Sequence, residues 1–189
     1  MQQCFLKKLF FLIFVLNTTL LYSQDYLFKT ETISVEDGLS NRFVRSILQD
    51  SKGFMWFATQ YGLNRYDGYQ FKVLTKEDNG LQSNFIDKIY LDADSNIWVG
   101  HSINNRFSGT FSGIDLVNIT TLEVQELEAA KTNLPFKISE LYEISPSETN
   151  DWLYLLTTTG KVYIYKGQEE FELFYEHEKN SVIHDLKIG

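Results

Sequence analysis

Gly38, Asp50 and Trp56 are followed by Gly80, Asp92 and Trp98, each 42 residues further on. Between Leu39 and Thr59 the correspondence needs no gap. Three landmarks held in one register point to duplication, and a fixed period in the 40s is the signature of an array of supersecondary units. The first copy, residues 37–68, reads DGLSNRFVRSILQDSKGFMWFATQYGLNRYDG.

Each copy reads as four short strands. Residues 43–48 are apolar at 43, 44, 47 and 48, a spacing that one face of a short helix would share. The next copy decides for a strand: FIDKIYL, residues 85–91, is seven long and rich in β-branched and aromatic side chains. DSKG at 50–53 is a turn, in which the Asp side chain bonds the backbone ahead and Gly supplies a positive φ. FMWFAT at 54–59 is apolar without alternation, as in a strand covered on both faces. Residues 62–67 and 69–75 alternate and are more polar, with a turn at Asp67 and Gly68 between them. Four strands of about five or six residues, joined by turns of about two to five, fill about 40 residues.

The second unit places strands at 85–91, 97–100, 114–117 and 122–127. The three steps from Thr59 to Gly62 become twelve from His101 to Gly113, so nine residues are inserted between its second and third strands. The third unit is degenerate. Its first strand is read at 134–144, residues 146–150 replace the DxxG turn, and LYLLTTTGKVYIY at 153–165 repeats 55–66. There Thr157 and Gly160 answer Thr59 and Gly62, Tyr154 rather than Trp152 takes the tryptophan position, and 171–175 is the fourth strand. SVIHDLKI at 181–188 opens a fourth unit. Ahead of the repeats, YLFKTET at 26–32 resembles YQFKVLT at 69–75, so the chain enters on what reads as the last strand of a unit.

Lys7 and Lys8, the apolar run 9–16 and the small residue Ser23 have the grammar of a signal peptide spanning residues 1–23, with an uncleaved N-terminal anchor as the alternative. The apolar run is too short for a spanning helix. Cys4, the only cysteine, would leave with the signal. The mature chain then has no disulfide, thiol nucleophile or cysteine metal site, and its stability rests on packing. The formal charge of −8 becomes −10 once both lysines are removed, which disfavours nucleic acid and anionic membrane surfaces as partners. At 43% hydrophobic and 15% aromatic residues, the composition is that of a folding chain.

A four-stranded unit whose inner strands are apolar on both faces needs a sheet on either side. Radial stacking meets that need, so the expected fold is all-β, an incomplete β-propeller with blades of four antiparallel strands. The blades fall at about 33–76, 77–128 and 131–176, and 181–189 starts the next, all within a region spanning 24–189. Helical arrays of similar period are disfavoured, because no segment sustains an amphipathic helix.

The run EDGLSNRFVRSILQDSKGFMWFATQYGLNRYDG resembles the two-component regulator propeller repeat: DGL, an apolar strand, D-x-x-G, W, T-x-x-G-L and an aromatic-Asp-Gly end. The second unit keeps NGL, Asp92 and Trp98 but has Ser95 for the turn Gly and His101 for the Thr. The resemblance spans roughly residues 33–165. It implies the periplasmic sensor region of a bacterial hybrid sensor histidine kinase, in which the propeller is followed by a small β-sandwich, a membrane helix and signalling domains. Several members of that family respond to carbohydrate fragments. None of those later parts lies in this chain, so kinase activity would belong to the parent, and the parent's blades, its downstream domains and a second copy would be partners.

Positions shared between units are explained by what every unit needs. Asp37, Gly38, Asp50, Gly53, Trp56, Thr59 and Gly62, with Gly80, Asp92 and Trp98, are read as structural. Asp92, Asp94 and Asn96 have the D-x-D-x-N spacing of a calcium loop, but the loop glycine is absent and the twelfth position is Ile103, so no metal is expected. His101, His177 and His184 have no close ligand spacing, and no nucleophile elbow, phosphate loop or dinucleotide fingerprint is present. No cofactor or catalytic residue is expected.

Recognition is assigned to asymmetry. In an up-and-down blade, the turn between strands two and three and the connection to the next blade emerge on one face. The insertion SINNRFSGT at 102–110 would add Asn104, Asn105, Arg106 and Phe107 to that face, beside Arg42, Gln60 and Tyr61. Amide, cation and aromatic groups together suit a small-molecule or oligosaccharide ligand. A solvated loop is the plainer reading of the same residues. The functional expectation is the N-terminal part of a periplasmic, ligand-sensing propeller that catalyses no reaction. A secreted propeller glycan hydrolase or lyase, and a truncated product without function, are the alternatives. Three blades and part of a fourth would leave sheet edges open, so the chain is expected to be a fragment or to need a partner.

Overall fold

The computed structural model describes residues 30–102, 111–131 and 133–176. The chain divides into two compact units, Met1–Thr32 and Ile33–Gly189, and every strand considered below lies in the second. The expected signal segment, residues 26–29, the start of a fourth unit and most of the insertion lie outside the described residues. Residues 30–32, expected to close a strand, carry no regular structure.

Three four-stranded antiparallel sheets follow one another, each pairing its strands in chain order. The first holds β1 (Val44–Gln49), β2 (Met55–Thr59), β3 (Gly62–Tyr66) and β4 (Phe71–Leu74). The second holds β5 (Ile86–Leu91), β6 (Asn96–Ser102), β7 (Phe111–Asn118) and β8 (Val124–Glu126). The third holds β9 (Leu141–Pro146), β10 (Leu153–Thr157), β11 (Lys161–Tyr165) and β12 (Phe171–Glu176). The described helices are single turns: α1 (Lys76–Asn79) joins the first sheet to the second, and α2 (Leu127–Ala130) follows β8. Among the described residues no helix is long and apolar enough to cross a membrane.

The local chemistry explains where strands end. In the first turn, Asp50 Oδ1 accepts the N–H groups of Lys52 (2.9 Å) and Phe54 (3.0 Å), while Gly53 takes φ +89°. Asp92 Oδ1 does the same for Asp94 (2.9 Å) and Asn96 (2.8 Å), but there Ser95 sits at φ +63°. A left-handed backbone costs a non-glycine residue on the order of 1–2 kcal/mol. At Gly62, φ +95°, a β-carbon would run into the Leu74 carbonyl oxygen, so the strand β3 can start only on glycine.

Both tryptophans are fully buried on equivalent second strands, Trp56 on β2 and Trp98 on β6. Trp56 packs with Ala58, Leu63 and Leu74 of its own sheet and Ile86, Ile89, Ile97, Val99 and Val117 of the second. Trp98 packs with Ile114 and Leu116 of its sheet and Ile144, Leu153, Leu155, Tyr163 and Tyr165 of the third. One tryptophan thus anchors each inter-sheet core, and each burial is worth at most about 4–6 kcal/mol by area. This is the stacking of propeller blades.

Three details correct the sequence reading. The first strand of the third sheet begins at Leu141, not in the 130s; a 3-10 turn, Ile138–Glu140, precedes it, and Pro135 has no N–H to offer a ladder. The fourth strand of the second sheet is three residues long: Leu122 takes φ +64° within the turn, and Leu127 leaves the strand to start α2 with its side chain buried. Gly160 does not occupy the pairing place of Gly62. Leu156 pairs with Val162 where Ala58 pairs with Leu63, so this hairpin is one residue longer and Gly160 lies inside it at φ +80°.

Candidate functional site

The segment entering each of the first two sheets is fastened to that sheet's central hairpin. Ser40 N–H donates to Asn64 Oδ1 (2.8 Å), and its hydroxyl meets Thr59 Oγ1 (2.9 Å). One period later, Gln82 N–H donates to Asp115 Oδ2 (2.9 Å), its side-chain amide donates to Asp115 Oδ1 (2.9 Å), and His101 replaces the threonine. His101 Nε2 lies 2.7 Å from Asp115 Oδ2 and Nδ1 lies 3.4 Å from the Phe85 carbonyl, with both side chains buried. Gly62 N–H also donates to the Asn84 carbonyl (2.7 Å), tying the first hairpin to the entry segment of the second sheet. Entry segments and central hairpins therefore form one continuous surface across two sheets.

The first strands of neighbouring sheets approach one another, β1 beside β5 and β5 beside β9. All three carry a register shift at the same place: Arg45, Asp87 and Tyr142 are each skipped in the pairing with the second strand. A bulge re-aims the residue it carries and is a common device beside functional sites. Here it joins two of those residues. Arg45 donates to Asp87 Oδ1 from Nε (2.9 Å) and Nη2 (2.5 Å), with side chains 17% and 22% exposed, and its guanidinium lies 5.6 Å from the Phe85 ring centre. Arg42 is exposed and stacks over Phe43 at 5.1 Å, Phe43 and Tyr61 are about half exposed, and Gln60 is half-buried.

Of the residues expected to bind, Arg42, Gln60 and Tyr61 thus lie in or beside the β2–β3 hairpin and the first entry segment. Asn104, Asn105, Arg106 and Phe107 lie outside the described residues. The stem of the insertion is described: His101 pairs with Gly113, as Thr59 pairs with Gly62, and Ser102 pairs with Phe111. Phe111 lays its ring where a β-carbon on Gly100 would sit, and the Ser112 hydroxyl donates to the His101 carbonyl (3.0 Å). Sequence reasoning missed Arg45, Asp87 and Tyr142. The signal was present, since Arg45 and Asp87 are 42 residues apart and opposite in charge, but a bulge is not legible in a run of residue types.

The shared positions are tied up internally. Asp50 Oδ2 accepts the Trp56 indole N–H (2.8 Å), and Asp92 Oδ2 that of Trp98 (2.9 Å). Burial pushes the Asp92 carboxyl above its ordinary range, against the opposing pull of the Asn96 N–H and the Trp98 indole. Thr59 donates to the Gly62 carbonyl (2.9 Å), Asp37 Oδ2 accepts the Ser34 N–H (2.8 Å), and Gly38 and Gly80 close helical turns at φ +105° and +81°. The acids of the D-x-D-x-N run are also engaged, Asp92 by the indole and Asp94 by Tyr165. Among the described residues no three His, Cys, Asp or Glu side chains are grouped to hold a metal.

Sequential four-stranded sheets with a tryptophan at each junction make this a propeller-blade repeat protein. Residues 38–61, which include β1 and β2 of the first sheet, match the family model described as two component regulator propeller. No curated protein matches the chain. Among solved structures, the chain is similar to the extracellular domain of what is described as a hybrid two component system, BT3049 of B. thetaiotaomicron (22% identity, 77% of this chain and 26% of that one, TM-score 0.38). It is similar to the extracellular domain described as a one component system, BT4673 of B. thetaiotaomicron (19% identity, 84% and 26%, TM-score 0.40). It is also similar to virginiamycin B lyase of Staphylococcus aureus (16% identity, 72% and 42%, TM-score 0.47). The chain spans between a quarter and less than half of these structures.

Proposed function

We propose that this chain is the N-terminal part of a ligand-sensing propeller in a two-component signal transduction system, exported to the periplasm, which binds an oligosaccharide and leaves it unchanged. The observation that carries the reading is the repeated bulge. It sets Arg45 and Asp87 against each other between sheets with the guanidinium over Phe85, while Arg42 and Phe43 in the entry segment and Gln60 and Tyr61 in the β2–β3 turn supply further groups. Aromatic rings, a guanidinium and a carboxylate within one surface are the groups that stack on sugar rings and bond their hydroxyls. The match of residues 38–61 to the regulator propeller repeat supports the signalling role. Further blades and signalling domains of a longer parent are its proposed partners. Ile47, 55% exposed, and the partly buried Phe57 and Phe71 give the first sheet an apolar outer face that another sheet would cover.

Calorimetric titration with xylo-, arabino-, manno- and chondroitin-derived oligosaccharides tests the reading. Saturable binding by at least one of them is expected, weakened tenfold or more by Arg45→Ala or Tyr61→Ala. Shortening of any oligosaccharide on prolonged incubation would replace the binding module by an enzyme.

A further inference from the structure

The second and third sheets are joined at a place unrelated to the surface described above. Asp94, on the β5–β6 turn, reaches the third sheet with a single carboxylate. Its Oδ2 accepts the Tyr165 hydroxyl (2.5 Å), and both oxygens accept the Gln168 backbone N–H (3.1 and 2.9 Å). Lys131 Nζ stands 3.6 Å from Oδ2 and donates to the Tyr165 oxygen at 2.5 Å. A phenol and a peptide N–H donate to one anion, and an ammonium that donates to the phenol stands beside it.

The donors are built in place. Tyr165 is fully buried and the Lys131 side chain is 8% exposed, whereas Asp94 is 26% exposed, so the acceptor is the member open to solvent. The turn that presents the N–H is itself strained: Gly167, Gln168 and Glu169 have φ of +96°, +51° and +64°. Of this turn, the Gln168 N–H is the one aimed at the carboxylate. A β-carbon on Gly167 would lie 3.1 Å from Asp94 Oδ1, so the carboxylate sits close against the glycine. Strain at two non-glycine residues persists only where surrounding structure enforces it and is a pointer to function. The third sheet has lost the Asp–Trp tie of the other two, and this contact stands at its junction with the second sheet.

We propose that Lys131, Tyr165 and the 167–169 turn form a carboxylate-binding site, filled in this chain by Asp94 and open to a free carboxylate once that side chain is removed. The junction of the second and third sheets is then a receptor and its tethered ligand. The test is the melting temperature of the full chain carrying Asp94→Ala, in acetate, in chloride and in acetamide at matched ionic strength. The substitution should lower Tm by about 5 °C or more. Acetate should restore at least half of the loss in a saturable way, with no like effect on the unsubstituted chain. Acetamide, which has the shape without the charge, should restore none. An unchanged Tm overturns the site, as does an acetate effect equal in both proteins or matched by acetamide. Should Asp94→Ala fail to fold, it is combined with Gln168→Gly and Glu169→Gly, which relieve the turn and keep its N–H groups. Folding of that protein only with acetate present supports the site, and failure to fold even then overturns it.

Discussion

Ser95 occupies a turn position where the second repeat departs from glycine, and it keeps the left-handed backbone that Gly53 adopts in the first. Ser95→Gly removes the steric cost of that conformation but gives the unfolded chain more freedom, so a net gain of about 0.5–1 kcal/mol is expected. That corresponds to a rise of about 2 °C in Tm; a fall on thermal denaturation would show that the serine is held there by contacts of its own. At this scale the sequence was most legible. Asp50, Gly53 and Trp56 stood out because turn chemistry and burial act within a few residues, and their hydrogen bonds span two to six positions. Asp94 was legible only as a solvated turn acid, since its partners Tyr165 and Gln168 lie 71 and 74 residues away.

Element positions followed the period wherever the two copies could be laid against each other. Each strand of the first sheet begins or ends within two residues of its expected place, because hydrophobic runs and glycine turns bound it on both sides. The third sheet strayed most where the DxxG turn and its register were gone. Bulges on β1, β5 and β9 escaped notice for another reason: skipping one residue changes pairing without changing composition. The outer strand β12 carries Leu173, Phe174 and Tyr175, each 44–56% exposed, while Glu176 is paired with Lys161 (3.1 Å) and Glu172 with Lys166. An outer strand whose acids are neutralised by its own sheet lacks the charge that keeps edges apart. Tyr175→Lys should therefore reduce concentration-dependent association, measured by light scattering, and leave Tm within about 1 °C.

At the scale of the molecule, the first and third sheets both lean on the second through separate cores, one around Trp56 and one around Trp98. Stacked units of this kind owe their stability to nearest-neighbour interfaces. Trp56→Ala and Trp98→Ala should each cost about 3–5 kcal/mol. Their effects in denaturant titrations should add to within about 0.5 kcal/mol, as expected of sites without shared partners. A large coupling between them would mean that the three sheets behave as one core.

The paired stem beneath the inserted residues reaches further than this one chain. His101 and Gly113 hold the same register as the two-residue hairpin of the first sheet, and Ser102 with Phe111 carries the ladder past it. That stem keeps the register of the first sheet's hairpin, so the second sheet takes the added residues without a change in its central pairing. An experimenter can use the same stem by splicing foreign peptides between Ser102 and Phe111, and the pairing of His101 with Gly113 is expected to survive.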